Sequence, residues 1–146
     1  MSALKKSLFL KHLQITIRSN MDNPGITFRL IEQEDNKEIA ELIRVIFREY
    51  KIDMPGTVYT DPTTDNLFEL FGMPGSEYWI AEENGVIIGG GGVYPTPMLP
   101  EGCAELVKLY LAITHRGRGI GKEMINMIFK SASRLGYRQL YLGQGR

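Results

Sequence analysis

Cysteine and histidine are scarce in this chain of 146 residues, which contains one cysteine and two histidines. A single cysteine, Cys103, excludes a disulfide bond within the chain. With only His12 and His115 to add ligands, a metal centre built on cysteine or histidine is disfavoured. Cys103 also lacks a neighbouring histidine that would activate it as a nucleophile. We therefore expect no metal site and no covalent cysteine catalysis.

Long apolar runs are missing as well. No stretch approaches the roughly 20 residues that a membrane-spanning helix needs. The apolar run at residues 8–10 is interrupted by Lys11 and His12, so it is too short for the core of a signal peptide. These features predict a protein of the reducing cytoplasm that has no membrane partner.

The net charge is zero, because 17 basic side chains balance 17 acidic ones, but the charges are unevenly placed. Residues 101–146 carry eight lysines and arginines against three glutamates, and residues 1–100 carry the opposite surplus. Domains that bind nucleic acid are usually strongly basic as a whole. The sequence therefore favours a small anionic ligand near the basic segment and no nucleic-acid partner.

Alternating apolar residues predict strands, and apolar residues spaced by three and four predict helices. The expected order is β-α-α-β-β-β-α-β, which gives an α/β fold with helices packed on a mixed sheet. The strands are expected at residues 26–30, 77–81, 86–92, 104–111 and 139–142, and the helices at residues 34–50, 61–71 and 120–135. We treat residues 26–146 as one domain and residues 1–25 as an N-terminal extension. The sequence leaves open whether this extension packs against the domain or only precedes it.

A glycine-rich turn at residues 116–122 joins a predicted strand to the start of a predicted helix. Free N–H groups and the positive end of the helix dipole attract phosphate there, and glycine lets the backbone approach it closely. A Walker A loop would need serine or threonine in place of Glu123, and a dinucleotide fingerprint beginning at Gly117 would need glycine in place of Lys122. The turn therefore predicts a phosphate- or pyrophosphate-bearing ligand of another kind.

A second glycine run, residues 89–92, lies inside a predicted strand, where glycine weakens a sheet. Such a run predicts close approach by another backbone or by a ligand. A packing slot is the alternative.

The spacing that does fit the turn is R-x-x-G-x-G, formed by Arg116, Gly119 and Gly121 after an apolar strand. It resembles the acetyl-CoA pyrophosphate loop of the GNAT N-acetyltransferase superfamily, and the resemblance extends over about residues 26–142. Segments at residues 56–57, 61–62, 91–95 and 105–111 are similar to those of one branch of small bacterial acetyltransferases. The resemblance implies a GNAT-like acyl-CoA N-acyltransferase fold that is truncated after its fifth strand.

The resemblance also implies that acetyl-CoA is bound. Its pyrophosphate would lie on the N–H groups of residues 117–121 with Arg116 and Lys122 at the rim, and its pantetheine arm would pair with residues 109–111. The implied cofactor-binding residues are Leu109, Tyr110, Leu111, Arg116, Gly117, Arg118, Gly119, Ile120, Gly121 and Lys122. Tyr59 would line the acceptor site.

Acetyl transfer to an amine requires a base, because an alkylamine with a pKa of about 10 is mostly protonated at neutral pH. Glu105 matches a family position at which a general base often acts through water; the alternative is a strand-end glutamate paired with Lys108 or Arg138. The implied activity is acetylation of a primary amine, on a small molecule or a protein, by direct attack on acetyl-CoA. A catalytically weak or inactive acyl-CoA-binding module and a nucleotide-binding protein are the alternatives.

The family continues beyond the fifth strand into a region that usually supplies a tyrosine as general acid. No residue of this chain matches that tyrosine. A fifth strand without a neighbour would also present an open edge, which proteins normally cover. We therefore expect a homodimer joined through this edge.

Overall fold

A computed structural model describes residues 16–19, 22–51, 55–56 and 60–142. The described residues form six strands: β1 (Thr16–Arg18), β2 (Ile26–Leu30), β3 (Glu77–Glu83), β4 (Val86–Tyr94), β5 (Cys103–Leu111) and β6 (Gln139–Leu142). They also form three α-helices: α1 (Asn36–Glu49), α2 (Leu67–Leu70) and α3 (Ile120–Arg134). Short 3-10 turns lie at Gln33–Asp35, Pro62–Asn66 and Ile113–His115.

The six strands make one sheet in which spatial order follows chain order, from β1 to β6. Every neighbouring pair is antiparallel except β5 and β6, which run parallel because α3 crosses over between them. The predicted mixed α/β sheet is therefore confirmed. The expected truncation after a fifth strand is wrong: Thr16–Arg18, within the predicted extension, pairs with β2 and gives a sixth strand.

The expected helix at residues 61–71 is shorter and more irregular than predicted. Asp61 caps a 3-10 turn, Pro62–Asn66, by accepting a hydrogen bond from the Thr63 N–H at 2.9 Å, and only Leu67–Leu70 is α-helical. Proline at the first position suits the start of such a turn because the missing N–H would be unpaired there anyway. α1 and α3 lie close to their predicted ranges.

The start of α1 is tied to the sheet by Arg29 of β2. Its guanidinium donates to Asp35 in the turn before α1 at 2.7 Å and to Glu82 of β3 at 2.9 Å. Asp35 also accepts a hydrogen bond from the Glu32 N–H at 2.7 Å. Charge-assisted bonds of this kind are stronger than neutral ones, so this cluster fixes where α1 leaves the sheet.

The two faces of the sheet carry separate apolar cores. On one face α3 packs its buried residues Ile120, Met124, Met127 and Ile128 against strand residues that include Trp79. On the other face α1 and α2 contribute Ile39, Ile43 and Leu67, which pack with Tyr78 and Ile80 of β3. β3 is therefore buried on both faces, as expected for a central strand.

The glycine run in β4 meets both expectations stated for it above. Another backbone approaches closely at Gly89, where an added Cβ would clash with the Tyr110 carbonyl, and the rest of the run is a packing slot. An added Cβ on Gly90 would lie 2.6 Å from the Tyr78 ring, and one on Gly91 would lie 2.7 Å from Ile128. A Cβ on Gly92 would lie 2.7 Å from Phe71 and from the Glu77 carbonyl. Large side chains of the protein's own core fill the space that these glycines leave.

Replacing Gly90 by alanine is expected to destabilise the protein by about 1–3 kcal/mol, because the added Cβ would clash with the buried Tyr78 ring. Gly121→Ala is the matched control. No atom lies within 4 Å of its Cβ, and alanine is favoured over glycine inside a helix by about 1 kcal/mol. Urea denaturation measures the free energy of unfolding of both variants. A Gly90→Ala protein as stable as the wild type would contradict the packing argument.

Candidate active site

β5 carries a bulge that sequence reasoning did not predict. Gly90 pairs with Tyr110 and Gly92 pairs with Val107, so Lys108 and Leu109 together face the single residue Gly91. Lys108 has a φ of 54°, in the left-handed region that side chains rarely adopt. The Tyr78 hydroxyl donates a hydrogen bond to the Lys108 carbonyl at 2.9 Å and holds the bulge to the core.

Beyond the bulge, one side of β5 lacks a strand neighbour within the described residues. β6 pairs with Cys103, Ala104, Glu105 and Leu106 and ends there in the described part of the chain. Residues 107–111 then run toward the glycine-rich turn beside α3. The uncovered half of β5 and the turn are therefore continuous.

The glycines of the turn are in a different situation from those of β4. Gly117 and Gly119 have φ values of 78° and 79°, and an added Cβ on either, or on Gly121, would meet no protein atom within 4 Å. Gly119 is the N-cap of α3 and has no side chain with which to cap the helix. The packing of the protein does not require these glycines, and the space beside them is free for a ligand.

Glu83 of β3 braces the turn, which sequence reasoning also missed. Its carboxylate lies 3.0 Å from His115 Nε2 and 3.3 Å from the Arg118 guanidinium. The hydrogen bond with His115, and then the one with Arg118, hold the pKa of Glu83 below its usual value. Asn23 donates to the Arg118 carbonyl at 3.0 Å, so the segment before β2 contacts the turn as well.

Arg116, predicted for the rim of the turn, contacts the end of β5. Its guanidinium donates to the Leu111 carbonyl at 3.0 Å and lies 4.8 Å from the centre of the Tyr50 ring at the end of α1. The arginine therefore links the uncovered half of β5 to α1.

A pocket of about 270 Å³ opens on the α1 and α2 face of β5. Its lining includes Asp61, Thr63, Phe71, Tyr94, Thr96, Glu105 and Lys108. Glu105 is only 8% exposed, and its carboxylate accepts a hydrogen bond from the Thr96 hydroxyl at 2.6 Å. The predicted base is thus a buried carboxylate in a pocket beside the bulge.

Three groups in or near this pocket have shifted pKa values. Burial lowers the pKa of Lys108, and the nearby Asp61 carboxylate opposes that shift. Burial raises the pKa of Tyr110 to about 12. The Thr63 N–H lowers the pKa of Asp61, so Asp61 is a charged partner for cations in the pocket.

A larger pocket of about 600 Å³ lies on the opposite face, between β1, β2, β3 and α3. Arg18, Trp79 and Lys130 are among its lining residues. None of the predicted site residues lines it, so it is separate from the candidate active site.

The structure brings most of the predicted site together along one strand and the turn after it. Glu105, then Leu109, Tyr110 and Leu111, then residues 116–122 follow each other from the pocket to the start of α3. Tyr59 lies outside the described residues. In the described ranges no helix is long and apolar enough to cross a membrane, and no three His, Cys, Asp or Glu side chains are grouped to hold a metal ion.

Comparison with known proteins gives a consistent set of matches. Residues 38–145 match the model of the Acetyltransferase (GNAT) family. The chain is 33% identical over 125 residues to the uncharacterized N-acetyltransferase YjgM of Escherichia coli K12, a match that covers 85% of this chain and 75% of YjgM. It is 34% identical over 73 residues to N-acetyltransferase 8 of Rattus norvegicus, covering 49% of this chain and 33% of that relative.

Solved structures match at the level of the fold. An acetyltransferase of the GNAT family from Staphylococcus aureus Mu50 superposes with a TM-score of 0.70 at 20% identity, over 82% of this chain and 73% of that one. A predicted acetyltransferase from Clostridium acetobutylicum, solved with acetyl-CoA, gives a TM-score of 0.64 at 19% identity, over 83% and 82% of the two chains.

Proposed function

The chain belongs to the GNAT acetyltransferase family, and from that premise we propose that it transfers the acetyl group of acetyl-CoA to a primary amine of a small molecule or a protein. One observation carries the proposal. A single strand, β5, holds a buried carboxylate in a pocket and then runs without a neighbouring strand, within the described residues, into a glycine turn free of protein atoms.

This arrangement supports acetyl-CoA as the acetyl donor. In the proposal the pyrophosphate lies on the N–H groups of residues 117–121, where the left-handed backbone of Gly117 and Gly119 and the start of α3 favour an anion. Arg116, Arg118 and Lys122 add positive charge near it. The pantetheine arm pairs with Leu109, Tyr110 and Leu111 as an added strand would.

The acceptor occupies the pocket at Glu105. A volume of about 270 Å³ lies near the lower end of typical ligand pockets, so it suits the end of an aliphatic amine. Glu105 takes the ammonium proton through a water, the amine attacks the thioester carbon, and the carbon–sulfur bond then breaks. N–H groups of the uncovered half of β5 stabilise the negative oxygen of the intermediate. Tyr59 stays a prediction for the lining of this pocket.

Glu105→Gln is expected to lower kcat by about 10²- to 10⁴-fold while the affinity for acetyl-CoA stays within about twofold, because the amide cannot accept the proton. Thiol release with a panel of amines measures turnover, and calorimetry measures binding. Glu101→Gln, at an exposed turn outside the pocket, is the control.

An equal loss of turnover and of acetyl-CoA affinity in Glu105→Gln would contradict its role as base. Binding of acetyl-CoA by the wild type without turnover on any amine would favour an acyl-CoA-binding module instead. Greater stabilisation by ATP or NAD than by CoA in a thermal shift assay would favour a nucleotide-binding protein.

Gly119→Ala is expected to weaken acetyl-CoA binding by at least tenfold, because its Cβ would enter the space assigned to the pyrophosphate. Gly136→Ala, at the other end of α3, is a matched control. It also has a positive φ, 99°, and no protein atom within 4 Å of its Cβ. Both variants should lose about 1–2 kcal/mol of stability through left-handed strain. Equal acetyl-CoA affinity in calorimetry would overturn the assignment of the turn.

The proposal includes a homodimer through β6. In the described chain β6 pairs on one side only, with β5, and the side chains of Tyr141 and Leu142 are 44% and 63% exposed. A second copy can supply hydrogen-bond partners for such an edge. Size-exclusion chromatography with light scattering should then give twice the chain mass of 16.5 kDa. A single-chain mass would remove the dimer and leave the acetyl-transfer proposal in place.

A further inference from the structure

We propose that Lys108 is a second catalytic residue, whose ammonium donates the proton that the sulfur of coenzyme A takes up as it leaves. This inference rests on the proposed acetyl transfer. It assigns the acid step, which the proposed function above leaves without a residue.

The bulge determines where Lys108 points. Leu106 and Leu109 pack into the core on the α3 face, whereas Val107 packs on the α1 and α2 face. Regular alternation would place residue 108 with the α3 core. Lys108 instead lines the same pocket as its neighbour Val107, and two successive residues reach one face only because the strand is bulged between them.

The protein holds Lys108 in this strained position. Its φ of 54° is unfavourable for a residue with a side chain, so the surroundings must stabilise it. The Tyr78 hydroxyl binds the Lys108 carbonyl at 2.9 Å, and the Tyr78 ring is 1% exposed between Gly90 and Gly92. A strained backbone fixed by a buried side chain is common where a side chain must be aimed at a ligand.

The ammonium of Lys108 is available to a ligand. No hydrogen bond or ion pair joins it to another described residue, although the charge of Asp61 lies near enough to oppose the effect of burial. Burial lowers the pKa of Lys108 from its usual value and so brings it toward that of a thiol, about 8.5. A lowered pKa makes the ammonium a better proton donor to the leaving sulfur.

Lys108 also lies at the correct place along β5. Glu105 precedes it in the same pocket, and the strand segment proposed for the pantetheine arm begins at the next residue, Leu109. The thioester at the end of that arm would therefore lie between the carboxylate and the ammonium. The acceptor loses its proton on one side, and the leaving sulfur gains one on the other.

The step balances in atoms and charge. When the tetrahedral intermediate collapses, the carbon–sulfur bond breaks and its electron pair stays on sulfur. The Lys108 N–H bond breaks, the proton goes to sulfur, and coenzyme A leaves as the thiol. The remaining extra proton on the acceptor nitrogen passes through water and restores the Lys108 ammonium. The proton first taken by Glu105 is the one released to solvent in each turnover.

The test uses coenzyme A itself, so it needs no knowledge of the acceptor. Calorimetry first measures CoA binding to the wild type, Lys108→Met and the control Lys130→Met, an exposed lysine on α3. Thiolate ultraviolet absorbance is then followed against pH, with the S-methyl-CoA complex subtracted to remove protein tyrosines. At a given pH, the ratio of thiolate to thiol should be at least tenfold higher for CoA bound to the wild type or to Lys130→Met than for free CoA. That gain should vanish in Lys108→Met.

Lys108→Arg separates proton transfer from charge alone. An arginine keeps the positive charge but does not give up a proton in this pH range. Lys108→Arg should therefore retain the raised ratio of thiolate to thiol in bound CoA. Its kcat on the best amine should fall at least tenfold, with an unchanged KM for acetyl-CoA. In the wild type kcat should decline at alkaline pH as Lys108 loses its proton, and Lys108→Met should lack that decline.

The outcomes are distinguishable. Unchanged thiol ionisation in Lys108→Met, or full turnover by Lys108→Arg, would overturn the assignment of Lys108 and leave the proposed function standing. A rise only in the KM of the acceptor would also overturn it, since that result makes Lys108 an anchor for an anionic acceptor group. Absence of CoA binding by the wild type would overturn the proposed function and this inference together.

Discussion

The hydrogen bond from the Tyr78 hydroxyl to the Lys108 carbonyl is the contact on which the geometry of the site depends. The left-handed backbone at Lys108 costs about 1–2 kcal/mol, so it persists only while the surroundings hold it. Tyr78 can do so because its ring is buried in the slot left by Gly90 and Gly92. The glycine run in β4 thus supports a site on β5 without touching a ligand.

β5 then supports every part of the candidate site. Before the bulge it is paired on both sides, by β4 and β6, and this rigid half carries Glu105. After the bulge only β4 pairs with it among the described strands, and this half leads to the turn at Gly117 and Gly119. The proposed base and the proposed cofactor loop are thus held by one strand, and they keep their separation when surface loops move, as a catalytic arrangement requires.

Periodicity predicted the element order over residues 26–142, because most of those elements bury at least one face. β1 was left in the N-terminal extension because its three exposed residues belong to the sheet only through their pairing with β2. The bulge was missed because it depends on which residues of β4 and β5 pair with each other. Simple alternation along β5 would place Lys108 on the α3 face instead. Glu83 was missed because its partner His115 is distant in the chain and is brought close only by the fold.

The two glycine runs show why a local pattern cannot distinguish support from function. Both segments are rich in glycine. The protein's own side chains fill the space at Gly90 and Gly91, whereas no protein atom lies within 4 Å of the Cβ positions of Gly117 and Gly119. A glycine that packing demands leaves no space for a ligand. A left-handed glycine facing empty space lets backbone N–H groups meet a ligand directly. That difference, which only the folded chain reveals, supports the anion site proposed at the turn.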